Sequence, residues 1–182
     1  LFEPGDDTTV CVLKAVKPKK VKLFTGPPTH KEDDAKVVHE LMNNADIRIV
    51  SGGTTSQIVA RELGVEVKSS TEIYDKEVPP IAYIQGVDLV TEGVLTLSKT
   101  IDRLKSLSKS LDSDIFKAKD GASQMAKLLY SASHIKLLVG RSLNIANAES
   151  SFQRDLELRL HVVGELEKIL VKLGKIVTVE YY

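Results

Sequence analysis

Apolar residues follow two alternating patterns along most of the chain. Short β-rich runs such as VKLFTG, IRIVSGG, HIKLLVG and KIVTVEYY alternate with longer stretches in which apolar residues recur every three or four positions. The clearest helical stretch is VLTLSKTIDRLKSL, whose apolar face carries Val94, Leu97, Ile101, Leu104 and Leu107. Strands that alternate with helices of this length are typical of a parallel sheet. We therefore expect an α/β fold: an open, mostly parallel sheet with helices on both faces.

The first residues depart from this alternation. The run from Thr8 to Ala15 has the pattern of a further strand and follows a Pro-Gly-Asp-Asp turn. It includes Cys11, for which we expect a buried position as a small apolar residue. We interpret residues 1–17 as the remnant of a preceding domain and residues 18–182 as one α/β domain.

Composition and charge exclude several classes of protein. The 25 basic and 25 acidic residues give a net charge of zero, so no global positive field attracts nucleic acid. A single cysteine excludes an internal disulfide and a cysteine-based zinc site. No apolar run is long enough for membrane insertion, and no signal-peptide pattern is present. We therefore expect a cytoplasmic protein that binds neither nucleic acid nor membrane.

The residues best suited to bind a ligand follow the second predicted strand. Gly52 and Gly53 permit a tight turn there, and Thr54 and Thr55 supply hydroxyl groups at the start of a helix. Free N–H groups at a helix N-terminus attract anions. The string matches neither the P-loop nor the dinucleotide-binding motif. An ordinary strand-to-helix turn with hydroxyl caps explains it equally well.

Three further residues complete the predicted ligand site. Arg141 follows the strand HIKLLVG and presents a guanidinium fork that suits a carboxylate or phosphate, and Asn144 adds an amide. Glu92 follows another strand and could share one face with Asp88 to hold a divalent cation or act in acid–base chemistry, although helix capping explains it too. A surface ion pair is the alternative for Arg141. The four histidines form no recognisable Ser-His-Asp arrangement, so we assign no catalytic residue.

The segment PGDDTTVCVLKA resembles the last conserved motif of metal-dependent Ser/Thr protein phosphatases, in the branch typified by stage II sporulation protein E. The segments GGTTSQIVARELG, PPIAYIQGVDLVTEGVLTL and KDGASQMAKLL resemble the C-terminal extension of bacterial phosphatases in that branch, so the resemblance covers nearly the whole chain. It implies that Asp6 ligates a catalytic divalent metal and that Asp7 is the adjacent acid. The parent phosphatase would use Mn²⁺ or Mg²⁺, which prefer carboxylate oxygens.

The same resemblance implies that this chain alone is catalytically incomplete. A two-metal centre needs further carboxylates, which the family carries in motifs upstream of those present here. We therefore expect this chain to bind no cofactor and to dephosphorylate nothing without its own upstream phosphatase domain. Our leading hypothesis is a regulatory or ligand-binding C-terminal domain that binds a small anionic ligand. Two alternatives stay open: an interaction module that forms a homodimer or docks on a partner, and a stand-alone α/β enzyme or binder of a phosphorylated small molecule.

Overall fold

A seven-stranded sheet runs through the described part of the chain. The computed structural model describes residues 9–13, 15–107, 114–142 and 149–182, apart from the side chains of 116 and 149–153. The strands in chain order are β1 (Lys20–Thr25), β2 (Ile47–Ser51), β3 (Lys68–Ser69), β4 (Ala82–Tyr83), β5 (Leu89–Thr91), β6 (His134–Val139) and β7 (Ile176–Tyr181). Their spatial order is β3-β4-β5-β2-β1-β6-β7, and only the pairs that include β4 are antiparallel. The sheet is therefore mostly parallel, as predicted.

Helices cover both faces of this sheet. They are α1 (Asp34–Met42), α2 (Gly53–Leu63), α3 (Val94–Leu107), α4 (Gly121–Ser131) and α5 (Glu149–Lys172). Helices α1 and α2 pack on one face, around Phe24 and Val50, whereas α3, α4 and α5 pack on the other, around Leu23 and Leu137. Consecutive residues of β1 thus enter opposite cores, as expected for a strand with two buried faces. The predicted α/β fold with helices on both faces is confirmed.

The strand order reverses direction beside β1. The chain proceeds from β1 to β2 and β5 on one side, then returns to place β6 and β7 on the other. Ligands of open α/β sheets usually bind beyond the carboxyl ends of the strands at such a reversal. Here two hydrogen bonds join the loops after β1 and β6. The amide of Gly140 donates to the carbonyl of Thr25, and the amide of Ser142 donates to the carbonyl of Pro27. The open space therefore lies above β1, β2 and β5.

The predicted strand from Thr8 to Ala15 is wrong for its described residues. Thr9–Leu13 and Ala15 have no strand structure, and Val10, Val12 and Leu13 are 79%, 83% and 95% exposed. A strand needs a neighbour to pair its N–H and C=O groups, and no described strand pairs with this segment. Cys11 is exposed rather than buried, for the same reason. The division of the chain into residues 1–17 and 18–182 stays a prediction.

Two other local predictions need correction. The apolar residues Val65 and Val67 predict a short strand over 65–67, but the strand lies at Lys68–Ser69, where β3 pairs with β4. The local pattern of NIANAESSFQRDLE (144–157) predicts a loop or short helix, but the described part of this segment belongs to α5, which is 24 residues long. Both differences arise because strand pairing and helix packing extend or shift elements beyond their local patterns.

An ion-pair network lies on the part of the sheet that α1 borders. Glu40 of α1 accepts from Lys22 of β1 at 2.6 Å and from Lys136 of β6 at 2.8 Å. Lys136 also pairs with Glu180 of β7 at 2.6 Å. Hydrogen bonds from Lys136 and then Lys22 hold the pKa of Glu40 below its usual value, and Lys136 lowers the pKa of Glu180.

We expect these carboxylates to make the free energy of unfolding pH-dependent in acid. Because their pKa values are lower in the folded state, they stabilise the fold above the unfolded pKa of about 4.3, and this contribution is lost as the pH falls through the folded pKa values. Urea unfolding at pH 6 and pH 3 should show a smaller pH-dependent loss for Glu40→Gln than for the unaltered chain. An equal loss in both proteins would contradict the assignment to Glu40.

Candidate functional site

A cleft of about 390 Å³ opens at the carboxyl ends of β1, β2 and β5. Its floor consists of the strand ends, one wall is the start of α2, and the facing wall is one turn of α5. Of the predicted site residues, the cleft brings together Gly52, Gly53, Thr54, Thr55 and Glu92. The sequence therefore located the centre of this cleft.

The start of α2 turns its backbone N–H groups toward the cleft. Gly52 has a φ of +121°, a conformation that side chains rarely allow, and its carbonyl accepts the first helical hydrogen bond from Ser56 at 2.8 Å. The N–H groups of Gly53, Thr54 and Thr55 precede that bond, so they have no acceptor within the helix. No side chain caps this helix. These N–H groups are therefore free to donate hydrogen bonds to a ligand in the cleft.

The hydroxyl of Thr55 has a structural role instead of the predicted capping role. It accepts a hydrogen bond from the amide of Gly26 at 2.9 Å. This bond joins the end of β1 to the first turn of α2 across 29 residues of chain. Thr54 is exposed and lines the cleft. Of the two predicted threonines, Thr54 is the one available to a ligand.

A row of buried hydroxyl residues ends the three strands beneath the cleft. Thr25, Ser51 and Thr91 lie side by side in register and are 1%, 0% and 3% exposed. Thr91 donates to the carbonyl of Glu92, which also accepts from the hydroxyl of Ser51. Thr25 also lines the cleft. The floor of the cleft is therefore polar, and Thr25 is the residue of β1 that can contact a ligand there.

Arg159 brings a positive charge to the cleft from α5. Its Nη1 donates to the carbonyl of Gly140 at 3.2 Å and packs over Gly26, where a Cβ would lie 2.5 Å from that nitrogen. Burial lowers the pKa of Arg159, and Asp155, one turn earlier on α5, offsets only part of that effect. A partly desolvated guanidinium of this kind gains from an anion placed beside it.

Sequence reasoning missed Arg159 and Asp155. Their spacing of four residues is a helix-face signal that was visible in the sequence. The local pattern predicts a loop or short helix over 144–157 and a helix from Leu158, so Asp155 and Arg159 fall in different predicted elements and their shared face is not recognised. Nothing local indicated that α5 passes over the ends of β1 and β6, because that placement depends on the strand order.

Glu92 lies at the opposite end of the cleft, just after β5. It is exposed, and its Oε2 lies 3.9 Å from the position that a Cβ on Gly53 would take. Asp88 precedes β5 and accepts from the amide of Arg48 at 2.7 Å, so the two acids lie at opposite ends of one strand. They do not form the pair considered for a cation. Among the described residues, no group of three or more His, Cys, Asp or Glu could hold a metal ion.

Of the remaining predicted residues, Arg141 is the one that the structure describes, and it does not join the cleft. The amide of Arg141 donates to the Tyr182 carbonyl, and its guanidinium lies over the ring of Tyr181, 5.5 Å from the centroid. Arg141 is exposed beyond β6 and does not line the cleft. Asn144 and the predicted metal ligands Asp6 and Asp7 lie outside the described residues.

Comparison with known proteins assigns no function to this cleft. No protein family, curated protein or solved structure matches the chain. In the described part of the chain, none of the helices has the length and apolar character needed to span a membrane. The fold and cleft together define an α/β protein with a polar cavity at the carboxyl ends of its central strands.

Proposed function

We propose that this chain is a ligand-binding regulatory domain whose cleft binds a small anionic molecule. The observation that carries the proposal is the convergence of three kinds of donor on one cavity: the N–H groups at the start of α2, the guanidinium of Arg159 and the hydroxyl of Thr25. Helix N-termini and arginine forks are the usual partners of carboxylate and phosphate groups.

Binding fits the cleft better than catalysis does. The described residues that line it include no histidine, lysine or cysteine, which are the side chains that most often act as bases or nucleophiles at neutral pH. Glu92 and Asp155 are its titratable acids, and they stand at opposite ends rather than as a pair. The donors are suited to hold an anion in place, which is the requirement for a sensor.

The resemblance of the sequence supplies the context for such a sensor. It is the basis on which we propose that the chain forms the C-terminal accessory domain of a bacterial, cytoplasmic Ser/Thr phosphoprotein phosphatase. The divalent metal, Mn²⁺ or Mg²⁺, would belong to the upstream phosphatase domain, with Asp6 and Asp7 contributing there. Occupancy of the cleft would then alter phosphatase activity through contacts between the two domains.

Binding of inorganic phosphate and of acetate to this chain tests the proposed site. Arg159→Gln should raise the dissociation constant of either anion by about tenfold or more, because hydrogen bonds to a charged group contribute roughly 1.5–3 kcal/mol. Chemical-shift titration by NMR would measure this change and show that the variant is folded. The matched control is Arg154→Gln, which removes an exposed arginine from the same helix and should alter the constant by less than about twofold.

Two outcomes would contradict the proposal. Equal anion affinity in Arg159→Gln and Arg154→Gln would place any anion elsewhere. A chain that dimerises and binds neither anion would favour the interaction module instead. In the full-length phosphatase, a ligand that changes the rate of phosphoprotein dephosphorylation should lose that effect in Arg159→Gln.

A further inference from the structure

The cleft carries opposite charges at its two ends. Arg159 lies above β1 and the loop after β6, Glu92 follows β5, and the start of α2 lies between them. β5 and β1 are separated by β2 in the sheet, and neighbouring strands lie about 4.8 Å apart, so the two ends are separated by roughly 10 Å. A ligand of modest size can therefore contact both ends.

Glu92, at the acidic end of the cleft, lies directly beside the start of α2, whose N–H groups would hold an anion. The Glu92 carboxylate approaches the first residue of α2, at 3.9 Å from the Cβ position on Gly53. A second carboxylate, Asp155, lines the cleft near Arg159. These carboxylates would weaken, without abolishing, the binding of a simple anion at the start of α2, because like charges repel. A positive group on the ligand, next to its anionic group, would remove the repulsion from Glu92.

We propose that the ligand of this cleft is a zwitterionic α-amino acid, an inference that rests on the ligand-binding function proposed above. Its carboxylate accepts from the N–H groups at the start of α2 and from Arg159, and its ammonium group donates to Glu92. One carbon atom separates these two groups in an α-amino acid, which matches the adjacency of Glu92 and Gly53. The hydroxyl of Thr25 supplies a further hydrogen bond from the floor.

An apolar part of the cleft suits the side chain of such a ligand. Val94 and Leu158 line it from α3 and α5, and Leu158 is 50% exposed. An aliphatic side chain that covers Leu158 would remove apolar surface from water. A sugar phosphate is the competing ligand, since Glu92 could accept from its hydroxyl groups. Such a ligand would place a phosphate near the Glu92 carboxylate and would carry no positive charge of its own to offset the repulsion.

The test compares amino acids with the same molecules lacking the α-ammonium group. Isothermal titration of the whole chain would use leucine against 4-methylpentanoate, alanine against propionate, and glutamate against glutarate. We expect at least one amino acid to bind about tenfold or more tightly than its partner, the effect of one charge-assisted hydrogen bond. Glu92→Gln should abolish this difference. The control, Glu66→Gln, removes an exposed acid outside the cleft and should retain it.

The outcomes separate this inference from the proposed function. If the deaminated acids and phosphate bind as tightly as the amino acids, and Glu92→Gln tightens all of them, the amino-acid inference is overturned and the anion-binding function stands. If ribose 5-phosphate binds most tightly and loses affinity in Glu92→Gln, the ligand is a sugar phosphate and the inference is also overturned. If none of these compounds binds, both the inference and the proposed function fail.

Discussion

Replacing Gly140 with alanine is expected to destabilise the fold by about 3 kcal/mol or more, at the upper end of the cost of overpacking. A Cβ at this position would lie 2.1 Å from the carbonyl oxygen of Pro27 and 2.2 Å from that of Gly26. These are backbone atoms, so no side chain can rotate away to relieve the clash. The loops after β1 and β6 would have to separate, which would break the hydrogen bond between the Gly140 amide and the Thr25 carbonyl.

Urea unfolding at neutral pH measures this effect, and Gly164→Ala is its control. Gly164 lies inside α5, and a Cβ there meets no atom within 4 Å. Alanine at that position should stabilise the protein by about 0.5–1 kcal/mol, because glycine is a poor helix residue. A Gly140→Ala protein as stable as the unaltered chain would mean that the two loops do not touch. The anchor of Arg159 on the Gly140 carbonyl would then be in doubt as well.

Replacing Phe24 with alanine is expected to lower the free energy of unfolding by about 3–5 kcal/mol, as for other buried phenylalanines. Phe24 is fully buried on the central strand β1 and packs in the core under α1 and α2. That core is formed by fewer buried residues than the one under α3, α4 and α5, so few neighbours can move to fill the cavity. The loss should therefore lie toward the upper end of the range.

Two further substitutions calibrate the effect of Phe24→Ala in the same urea experiment. Phe24→Leu keeps most of the apolar volume and should destabilise by about 1.5 kcal/mol or less. Ile176→Ala removes a side chain that is 59% exposed and should change the free energy of unfolding by about 0.5 kcal/mol or less. A Phe24→Ala effect as small as that of Ile176→Ala would contradict the burial of Phe24 between the sheet and α1.

The pattern of the sequence was sufficient to predict the fold class and to single out a turn that lines the cleft. Fold class follows from local periodicity, since strands buried on both faces are continuous apolar runs and covering helices have one apolar stripe. The Gly52-Gly53-Thr54 turn was recognisable for a similar reason. A glycine pair that ends a strand and begins a helix is a local signal, and the parallel sheet places such a turn where ligands bind.

Local signals failed wherever a residue's position depends on a distant partner. Thr8 to Ala15 has the alternation of a strand, but a strand forms only where another strand accepts its hydrogen bonds. Arg141 and Arg159 are equally suitable arginines by sequence. The structure places Arg141 over the ring of Tyr181 and Arg159 in the cleft.

The sequence by itself determined the main strands and most of the helices, that the sheet is mostly parallel, and that a donor-rich turn follows β2. Only the tertiary structure decided that β6 lies beside β1, that α5 brings Arg159 over Gly26, and that Glu92 and Arg159 close opposite ends of one cleft. The physical reason is the range of the interactions. Periodicity and backbone conformation act within a few residues, whereas strand order is set by the packing of both cores at once.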